Sequence, residues 1–291
     1  MPASVNRTIA LCAGQEYAPF LVNGDAITIY GEGARVRAAP RGFGITARGS
    51  NIAIIGVSVS AATASEDLNT WLCMYDSCNF KNWSGRGGVG YGGGILLDHT
   101  TNAAVANATV SGGTIGVASW GGANNKIVNN NLSNLNGWGV LLIATNQNYI
   151  VGNTLNDVNR ACITPDGDYL QSGCESSGLA AIRAQANIIA SNHCERAANC
   201  FYAAGDGGHS SNNNKFFNNY CAAAANNCFE VTFSQGNQFD YNTATEKCDY
   251  PFWISGSRVS IGTHNKWNCS HSANKAFDDS RQATNAPTQM E

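Results

Sequence analysis

Residues 125–132 read N-K-I-V-N-N-N-L, and the spacing within this octet recurs along most of the chain. Asparagine stands at positions one and six, and an apolar or small residue stands at positions three and eight. Further copies start at Asn148, Asn187, Asn214 and Asn237, and weaker copies at Asn102 and Asn51. Successive starts lie 51, 23, 23, 39, 27 and 23 residues apart, so a period of 23 is interrupted by insertions. A fixed period of this length is typical of stacked-repeat proteins.

Short β-prone runs surround the octets, and no helical periodicity accompanies them. A leucine-rich repeat would show a helix and leucines at fixed spacing, and a propeller blade needs a repeat of about 40 residues. The pattern therefore predicts an all-β fold, a single-stranded right-handed parallel β-helix of about 8–10 coils. Each coil would add one rung to each sheet, about 4.8 Å above the previous rung.

The sixth-position asparagines predict an amide ladder along the stack. If every coil places this residue at the same turn, its side chain can bond to the coils above and below. The predicted ladder consists of Asn107, Asn130, Asn153, Asn192, Asn219 and Asn242. Its role is structural, and no catalytic function is assigned to these asparagines.

The repeat predicts one domain over residues 1–271, because each coil can bury its apolar side only on its neighbours. Two insertions, 61–93 and 162–178, interrupt this domain, and a polar C-terminal tail follows over 272–291. Both insertions come after an octet, and they are three coils apart, about 14 Å on the coil rise. Because long loops in a compact repeat are usually functional, both are expected to wall the sheet whose strands precede the octets.

Composition limits the partners and the compartment. Only 13% of the residues are charged, the net charge is −3 and no basic run occurs, which argues against nucleic-acid binding. No stretch reaches the about 18 apolar residues of a membrane span. The first 14 residues lack a signal-peptide core, as expected of either a trimmed mature chain or a cytosolic protein. Eleven cysteines favour the former, and an extracellular, secreted location is predicted.

The cysteines suggest disulfides but leave one alternative open. Four pairs fit the repeat, namely Cys73–Cys78, Cys162–Cys174, Cys194–Cys221 and Cys200–Cys228. Cys194 and Cys221 share octet position eight in consecutive repeats, so they should stack, either bonded or as small buried hydrophobes. The odd count leaves at least one free thiol. Metal ligation is not predicted, because the cysteines form no tight C-x-x-C pairs and the histidines are scattered.

The repeat, together with AITIYGEG (26–33) and SNIAIIGVSV (50–59), resembles the pectate-lyase-like superfamily of right-handed β-helices over roughly residues 8–270. That resemblance implies a polysaccharide as substrate or ligand, since the superfamily includes polysaccharide lyases, glycoside hydrolases, epimerases, phage tailspikes and surface adhesins. Polygalacturonase motifs have only echoes here, in T-P-D-G-D (164–168) and G-H-S (208–210). The alginate-epimerase signature is absent, and the lysine–arginine constellation of pectate lyases cannot be placed. The resemblance therefore implies no particular catalytic residue.

Charged residues are rare on the strands that precede the octets, so the few that occur are candidate catalysts. Arg183, Asp206 and Glu230 come from three consecutive coils, about 5 Å apart along the axis. Asp166 and Asp168 lie on the second insertion and could reach the same place. Two carboxylates about 5–10 Å apart would suit glycoside hydrolysis. A base beside a cation, either arginine or Ca²⁺, would suit elimination from a uronic acid.

Further residues are candidate substrate contacts. They are Asp98 and His99, which end the strand after the first insertion, His209, and the aromatic residues Trp120, Tyr202 and Trp253, expected to be exposed and to stack on sugars. Each has a structural alternative, as a solvated, ion-paired or packing residue. Asp166 and Asp168 in P-D-G-D mark a turn first and a Ca²⁺ site second, and no other cofactor is predicted. Leu141 and Ile143 require a loop that covers their side of the sheet.

Two functions fit these features. The first is a secreted carbohydrate-active enzyme, a polysaccharide lyase or glycoside hydrolase, with its groove between the two insertions. The alternative is a non-catalytic carbohydrate-binding or surface adhesin β-helix. Clustered ionisable residues in one groove favour the enzyme, and scattered ones favour the binding protein.

Overall fold

The computed structural model describes residues 6–39, 42–61, 93–158, 176–205, 209–269 and 288–289. Every regular element in these ranges is a β-strand, and the strands form three parallel sheets that the chain visits in turn, once per coil. The predicted all-β, right-handed parallel β-helix with about nine turns is thereby confirmed. None of the described residues forms a helix that is long and apolar enough to cross a bilayer.

Sheet A receives the first half of each octet. Its strands are β1 (Arg7–Ala10), β4 (Ile27–Tyr30), β7 (Ile52–Ile55), β10 (Ala104–Ala106), β13 (Lys126–Val128), β16 (Tyr149–Val151), β19 (Ile188–Ala190), β22 (Lys215–Phe217), β25 (Gln235–Asp240) and β28 (Arg258–Ile261).

Sheet B follows the sixth position of the octet. Its strands are β2 (Glu16–Tyr17), β5 (Arg35–Ala38), β8 (Ser58–Ala61), β11 (Thr109–Ser111), β14 (Asn131–Ser133), β17 (Thr154–Val158), β20 (His193–Ala197), β23 (Tyr220–Ala222), β26 (Thr243–Glu246), β29 (Lys266–Cys269) and β30 (Thr288–Gln289). The last of these strands comes from the segment predicted as a polar tail, and it pairs with β29.

Sheet C contains the strands that precede the octets. They are β3 (Phe20–Asn23), β6 (Phe43–Arg48), β9 (Gly93–Asp98), β12 (Ile115–Trp120), β15 (Trp138–Ile143), β18 (Ser177–Ile182), β21 (Asn199–Ala204), β24 (Asn227–Thr232) and β27 (Tyr250–Ser255).

The octet explains the core. Its third residue is the central, inward residue of a sheet A strand, and the parallel register stacks it on its equivalents, as with Ile127 on Ile150. Both are fully buried, whereas the outward Lys126 and Tyr149 beside them are exposed. This alternation along the strand is what a half-buried sheet requires.

Asparagines at positions one and six both form ladders. In the sixth-position ladder, Nδ2 of Asn153 donates to Oδ1 of Asn192 at 2.9 Å, and Nδ2 of Asn192 donates to Oδ1 of Asn219 at 3.0 Å. In the first-position ladder, Nδ2 of Asn148 donates to Oδ1 of Asn187 at 2.8 Å. The same side chains also bond backbone groups at the corners, such as the carbonyl of Ile150. The predicted structural ladder is confirmed, and a second one accompanies it.

The weak copy at Asn102 is one residue out of register. Ala104 pairs with Lys126, so the rungs below Asn125 and Asn130 are alanines, and their backbone N–H groups donate to the two ladder amides. Asn107, which was predicted to belong to the ladder, is instead exposed with φ of 54°. It occupies a left-handed turn position, a conformation that asparagine tolerates well.

The two insertions leave the coil at the same corner, from sheet B to sheet C. The first falls between β8 and β9 and the second between β17 and β18, three coils apart. Residues 62–92 and 159–175, and with them most of both insertions, lie outside the described residues. Leu141 and Ile143 are buried in an apolar cluster on the outer side of sheet C. That a loop covers them stays a prediction.

Two disulfides, Cys194–Cys200 and Cys221–Cys228, bond neighbours around the B–C corner of one coil. A third, Cys248–Cys269, bonds the segment between β26 and β27 to β29 of the next coil. Cys194 and Cys221 do stack in register, but the predicted bonds Cys194–Cys221 and Cys200–Cys228 are wrong. Cys194–Cys200 and Cys221–Cys228 instead each join the inner sides of sheets B and C within one coil, where the Cα atoms are 5.6 Å apart. Cys12 is free and exposed. The other four cysteines lie outside the described residues.

Candidate active site

Three consecutive strands of sheet C end in residues that are suited to catalysis or ligand binding. Arg48 closes β6, Asp98 closes β9 and Trp120 closes β12, and the register places them in one outward column. His99 follows Asp98 at the turn into sheet A, with φ of 53°. Because of this left-handed turn, the side chains of Arg48, Asp98, His99 and Trp120, which come from three coils, lie at the same corner of the β-helix.

Asp98 is the buried centre of this cluster, with its side chain 8% exposed. Its Oδ2 accepts Nε–H of Arg48 at 2.6 Å, and its Oδ1 lies 2.7 Å from Nδ1 of His99. A carboxylate bonded to arginine is an acceptor, so Nδ1 of His99 carries the hydrogen. The imidazole therefore presents the lone pair of Nε2 when it is neutral.

The His99 side chain is 67% exposed and its ring centroid lies 5.3 Å from that of Trp120, at an interplanar angle of 53°. Gly121 makes room for this packing, because a Cβ there would lie 2.6 Å from Cδ2 of the imidazole. Trp120 is half-buried. The Arg48 side chain is 40% exposed. Its Nε–H donates to Asp98, and its two terminal nitrogens form no hydrogen bond with a described residue.

The corner below the cluster holds another carboxylate, Asp25, two coils from His99. Its Oδ1 accepts bonds from the hydroxyl of Ser50 at 2.6 Å and from the backbone N–H of the same residue at 2.7 Å. These two bonds lower the pKa of Asp25. A general acid requires a raised pKa, so Asp25 is suited to holding the turn rather than to donating a proton.

A second polar group lies at the other end of sheet C. Glu230 is 9% exposed, and its Oε2 accepts Nδ2–H of Asn227 at 3.1 Å. It stands between Tyr202 and Trp253 on the adjoining rungs. Tyr202 was expected to be exposed, but it is 7% exposed and its hydroxyl lies 3.0 Å from Oγ1 of Thr232. Trp253 is half-buried and packs edge-on against a tyrosine.

The remaining predicted residues are dispersed or not described. Arg183 follows β18 at a left-handed turn position. It is two strands away from Glu230 across sheet C and three residues further along the strand direction, so the two Cα atoms are roughly 14 Å apart. His209 is exposed on the turn between β21 and β22. Asp166, Asp168 and Asp206 lie outside the described residues, so their contribution to either cluster stays a prediction.

Sequence reasoning missed Arg48. It lies 50 residues before Asp98 because the first insertion separates the two coils, although the residues are adjacent in the sheet. The available signal was the common position at a strand end, in T-A-R-G and in L-L-D-H.

The comparisons with known proteins give the family. The model of a family described as periplasmic copper-binding protein (NosD) matches residues 21–268, more than four-fifths of the chain. The chain belongs to the NosD family. A comparison with curated proteins finds no match.

Several solved structures share the fold of this NosD-family chain at low identity. An alginate lyase from Paenibacillus sp. str. FPU-7 is 14% identical with a TM-score of 0.66, over 99% of this chain and 94% of that one. The A-module of mannuronan C-5 epimerase AlgE4 from Azotobacter vinelandii is 10% identical with a TM-score of 0.59, over 98% and 86%. A Dettilon tailspike protein is 11% identical with a TM-score of 0.54, over 98% of this chain, which spans only 61% of the tailspike's length. These likenesses show the fold.

The described residues do not fit a copper site. Copper is held by imidazole, thiolate and thioether groups. His99, His193 and His264 each lie beside a different carboxylate on a different part of the coil. The one described group of three potential ligands within 4.8 Å is Cys228, Cys248 and Cys269, and all three sulfurs are in disulfides. No step of the chemistry proposed below involves copper.

Proposed function

We propose that this NosD-family chain is a carbohydrate-active enzyme that cleaves a uronate-containing polysaccharide by β-elimination. The cluster of Arg48, Asp98, His99 and Trp120 is the proposed active site. The observation that carries the proposal is the exposed imidazole of His99, oriented through Nδ1 by a buried aspartate beside an arginine. A base and a cation side by side are what elimination from a uronic acid requires.

In this proposal, Nε2 of His99 takes the proton from C5 of a uronate unit while Arg48 neutralises the neighbouring carboxylate. The C5–H bond breaks, a C4=C5 double bond forms and the C4–O4 bond breaks. The imidazolium of His99 then returns the proton to the leaving O4 oxygen, so the reaction needs no redox partner. Asp98 stabilises the transient imidazolium, as the aspartate of a catalytic triad does. Trp120 would stack on a sugar ring beside the cleaved bond.

Hydrolysis is less well supported by the described residues. The strands of sheet C carry only two carboxylates, Asp98 and Glu230, and these stand five rungs apart, about 24 Å. A glycosidase needs its two carboxylates within about 10 Å. A hydrolase would therefore have to recruit Asp166, Asp168 or Asp206, which lie outside the described residues.

Glu230, Arg183 and Trp253 are proposed as substrate contacts further along the same face.

The comparisons support this class of function without fixing it. An alginate lyase and a mannuronan epimerase use the same fold, and both act on polysaccharides. The three disulfides and the periplasmic description of the family favour a location outside the cytoplasm, either secreted or periplasmic.

The test is a panel of polysaccharides read in two ways. Alginate, polygalacturonate and neutral glucans are incubated with the protein, and absorbance at 235 nm and new reducing ends are recorded. Elimination gives both signals on a polyuronate. Reducing ends without absorbance would replace the lyase with a hydrolase. Silence in both, with retained binding, would favour the non-catalytic carbohydrate-binding alternative.

A further inference from the structure

A polar recess lies on the outer side of sheet A, away from the cluster around Asp98. Its volume is about 350 Å³, within the size range of small-molecule sites. Its lining includes Gln147, Tyr149, Ala186, Ile188, Asn213 and Lys215.

The recess arises where a rung with shorter side chains lies between two rungs with longer ones. The floor is Ala186 and Ile188, while Tyr149 and Lys215 stand in the same outward column one rung to either side. The two walls are therefore two rungs apart, about 10 Å, which admits a single sugar ring between them. Tyr149 is 45% exposed although it is a large aromatic residue.

Amide side chains extend both walls towards the corner with sheet C. Gln147 accompanies Tyr149, and Asn213 accompanies Lys215, each two positions earlier in the chain. Both are exposed and have φ near 57–58°, in the left-handed turn that precedes the first-position ladder. One amide on each wall supplies donors and acceptors for sugar hydroxyls.

The charge of this surface is positive. Lys126 and Lys215 are the only charged residues in strands β10, β13, β16, β19 and β22, and neither forms an ion pair with a described residue. The nearest carboxylate in the sheet, Asp240 on β25, lies beside His264 instead. Within a chain whose net charge is −3, this is a local exception. This positive surface complements the carboxylate of an acidic sugar rather than a neutral sugar.

We infer that this recess is a binding site for one acidic sugar unit of a polysaccharide, with Tyr149 as the stacking surface and Lys215 as the partner of the carboxylate. The site lies on a different sheet from His99 and two to four coils beyond it. It would anchor the polysaccharide at a second place, and this role does not depend on whether the chain cleaves it.

The experiment is affinity electrophoresis in gels that contain alginate or, for comparison, neutral dextran. All variants carry His99→Gln, so that cleavage of the gel polymer does not interfere. We expect Tyr149→Ala to weaken retardation by alginate about tenfold and Lys215→Gln about threefold, with the second loss reproduced by added salt. Lys266→Gln is the matched control, since it removes the same charge from an exposed position on sheet B. It should leave retardation within about twofold of the parent.

Unchanged retardation in both Tyr149→Ala and Lys215→Gln would overturn the inference, as would equal retardation of the parent by dextran. Because Tyr149 and Lys215 are exposed, the thermal unfolding of both variants should match the parent, which separates lost binding from lost folding. Absence of absorbance at 235 nm with the native chain would end the proposed lyase activity and leave this result standing.

Discussion

Nδ1 of His99 lies 2.7 Å from Oδ1 of Asp98, although the two side chains differ in exposure, at 67% and 8%. They are neighbours in sequence, and the left-handed turn at His99 is what directs the imidazole outwards while the carboxylate stays against Arg48. This relationship brings a base, an anchoring carboxylate and a cation together at the end of sheet C.

Replacement of Arg48 tests the recognition of the uronate carboxylate. We expect Arg48→Gln to lower kcat/KM on polygalacturonate about 100-fold, because the developing charge on the carboxylate loses its cation. On a methyl-esterified polymer, whose carboxyl group is already neutral, the loss should be about tenfold smaller. The measurement is the initial rate at 235 nm on the two polymers. Equal losses on both would mean that Arg48 acts only through the position of Asp98.

Two of the described disulfides join sheets B and C within one coil, and peptide mapping can distinguish this from bonds between stacked cysteines. We expect Cys194 bonded to Cys200, and Cys221 bonded to Cys228, because the partners face each other across the B–C corner. Digestion with trypsin without reduction should then link peptide 184–196 to 197–215. Peptide 216–247 should carry its own internal bond. Linkage of both smaller peptides to 216–247 would contradict this arrangement.

The ladder makes neighbouring asparagines unequal. Asn130 is buried, accepts the backbone N–H of Ala108 at 2.9 Å and donates to the carbonyl of Val105 at 3.1 Å. Asn130→Ala would strand these buried groups and should lower the free energy of unfolding by about 3 kcal/mol. Asn131→Ala, at the next and exposed position, should change it by at most about 0.5 kcal/mol. Urea denaturation compares the two, and similar midpoints would count against a structural ladder.

Copper provides a test of how far the family description extends to this chain. The described histidines do not converge, so we expect copper uptake to be the same in the native chain and in His99→Gln, His193→Gln and His264→Gln. The measurement is the metal content by mass spectrometry after incubation with copper and desalting. Loss of one equivalent in any variant would assign that histidine to a copper site.

Much of the fold could be predicted because the repeat determines it directly. Ile127 and Ile150 are one repeat apart and stack, and Asn153 occupies the same turn position as its equivalents in other coils. The regular spacing in the sequence was therefore sufficient to predict both the core and the ladder. The offset at Asn107 was not predictable in the same way. Asparagine is favoured both in ladders and at left-handed turns, and the sequence does not distinguish the two uses.

The candidate site was predictable only in part. Asp98, His99 and Trp120 could be found from strand ends, but Arg48 is separated from them by the first insertion, and adjacency in a sheet is not visible across such a gap. The recess around Tyr149 and Lys215 was also missed, although octet position two marks its outward column. Cys194 and Cys221 were paired wrongly because stacking was visible in the period and the facing of two sheets around a corner was not.

The most direct test of the proposed activity compares two histidines that each lie beside an aspartate. His99 lies 2.7 Å from Asp98 at the end of a sheet C strand, and His264 lies 3.2 Å from Asp240 near the C-terminal end of the β-helix. The rate of absorbance increase at 235 nm on a polyuronate is measured for the native chain, His99→Gln and His264→Gln. We predict a loss of about 10²-fold to 10⁴-fold for His99→Gln and a native rate for His264→Gln. A native rate for His99→Gln on a polymer that the native chain cleaves would contradict the assignment of the base.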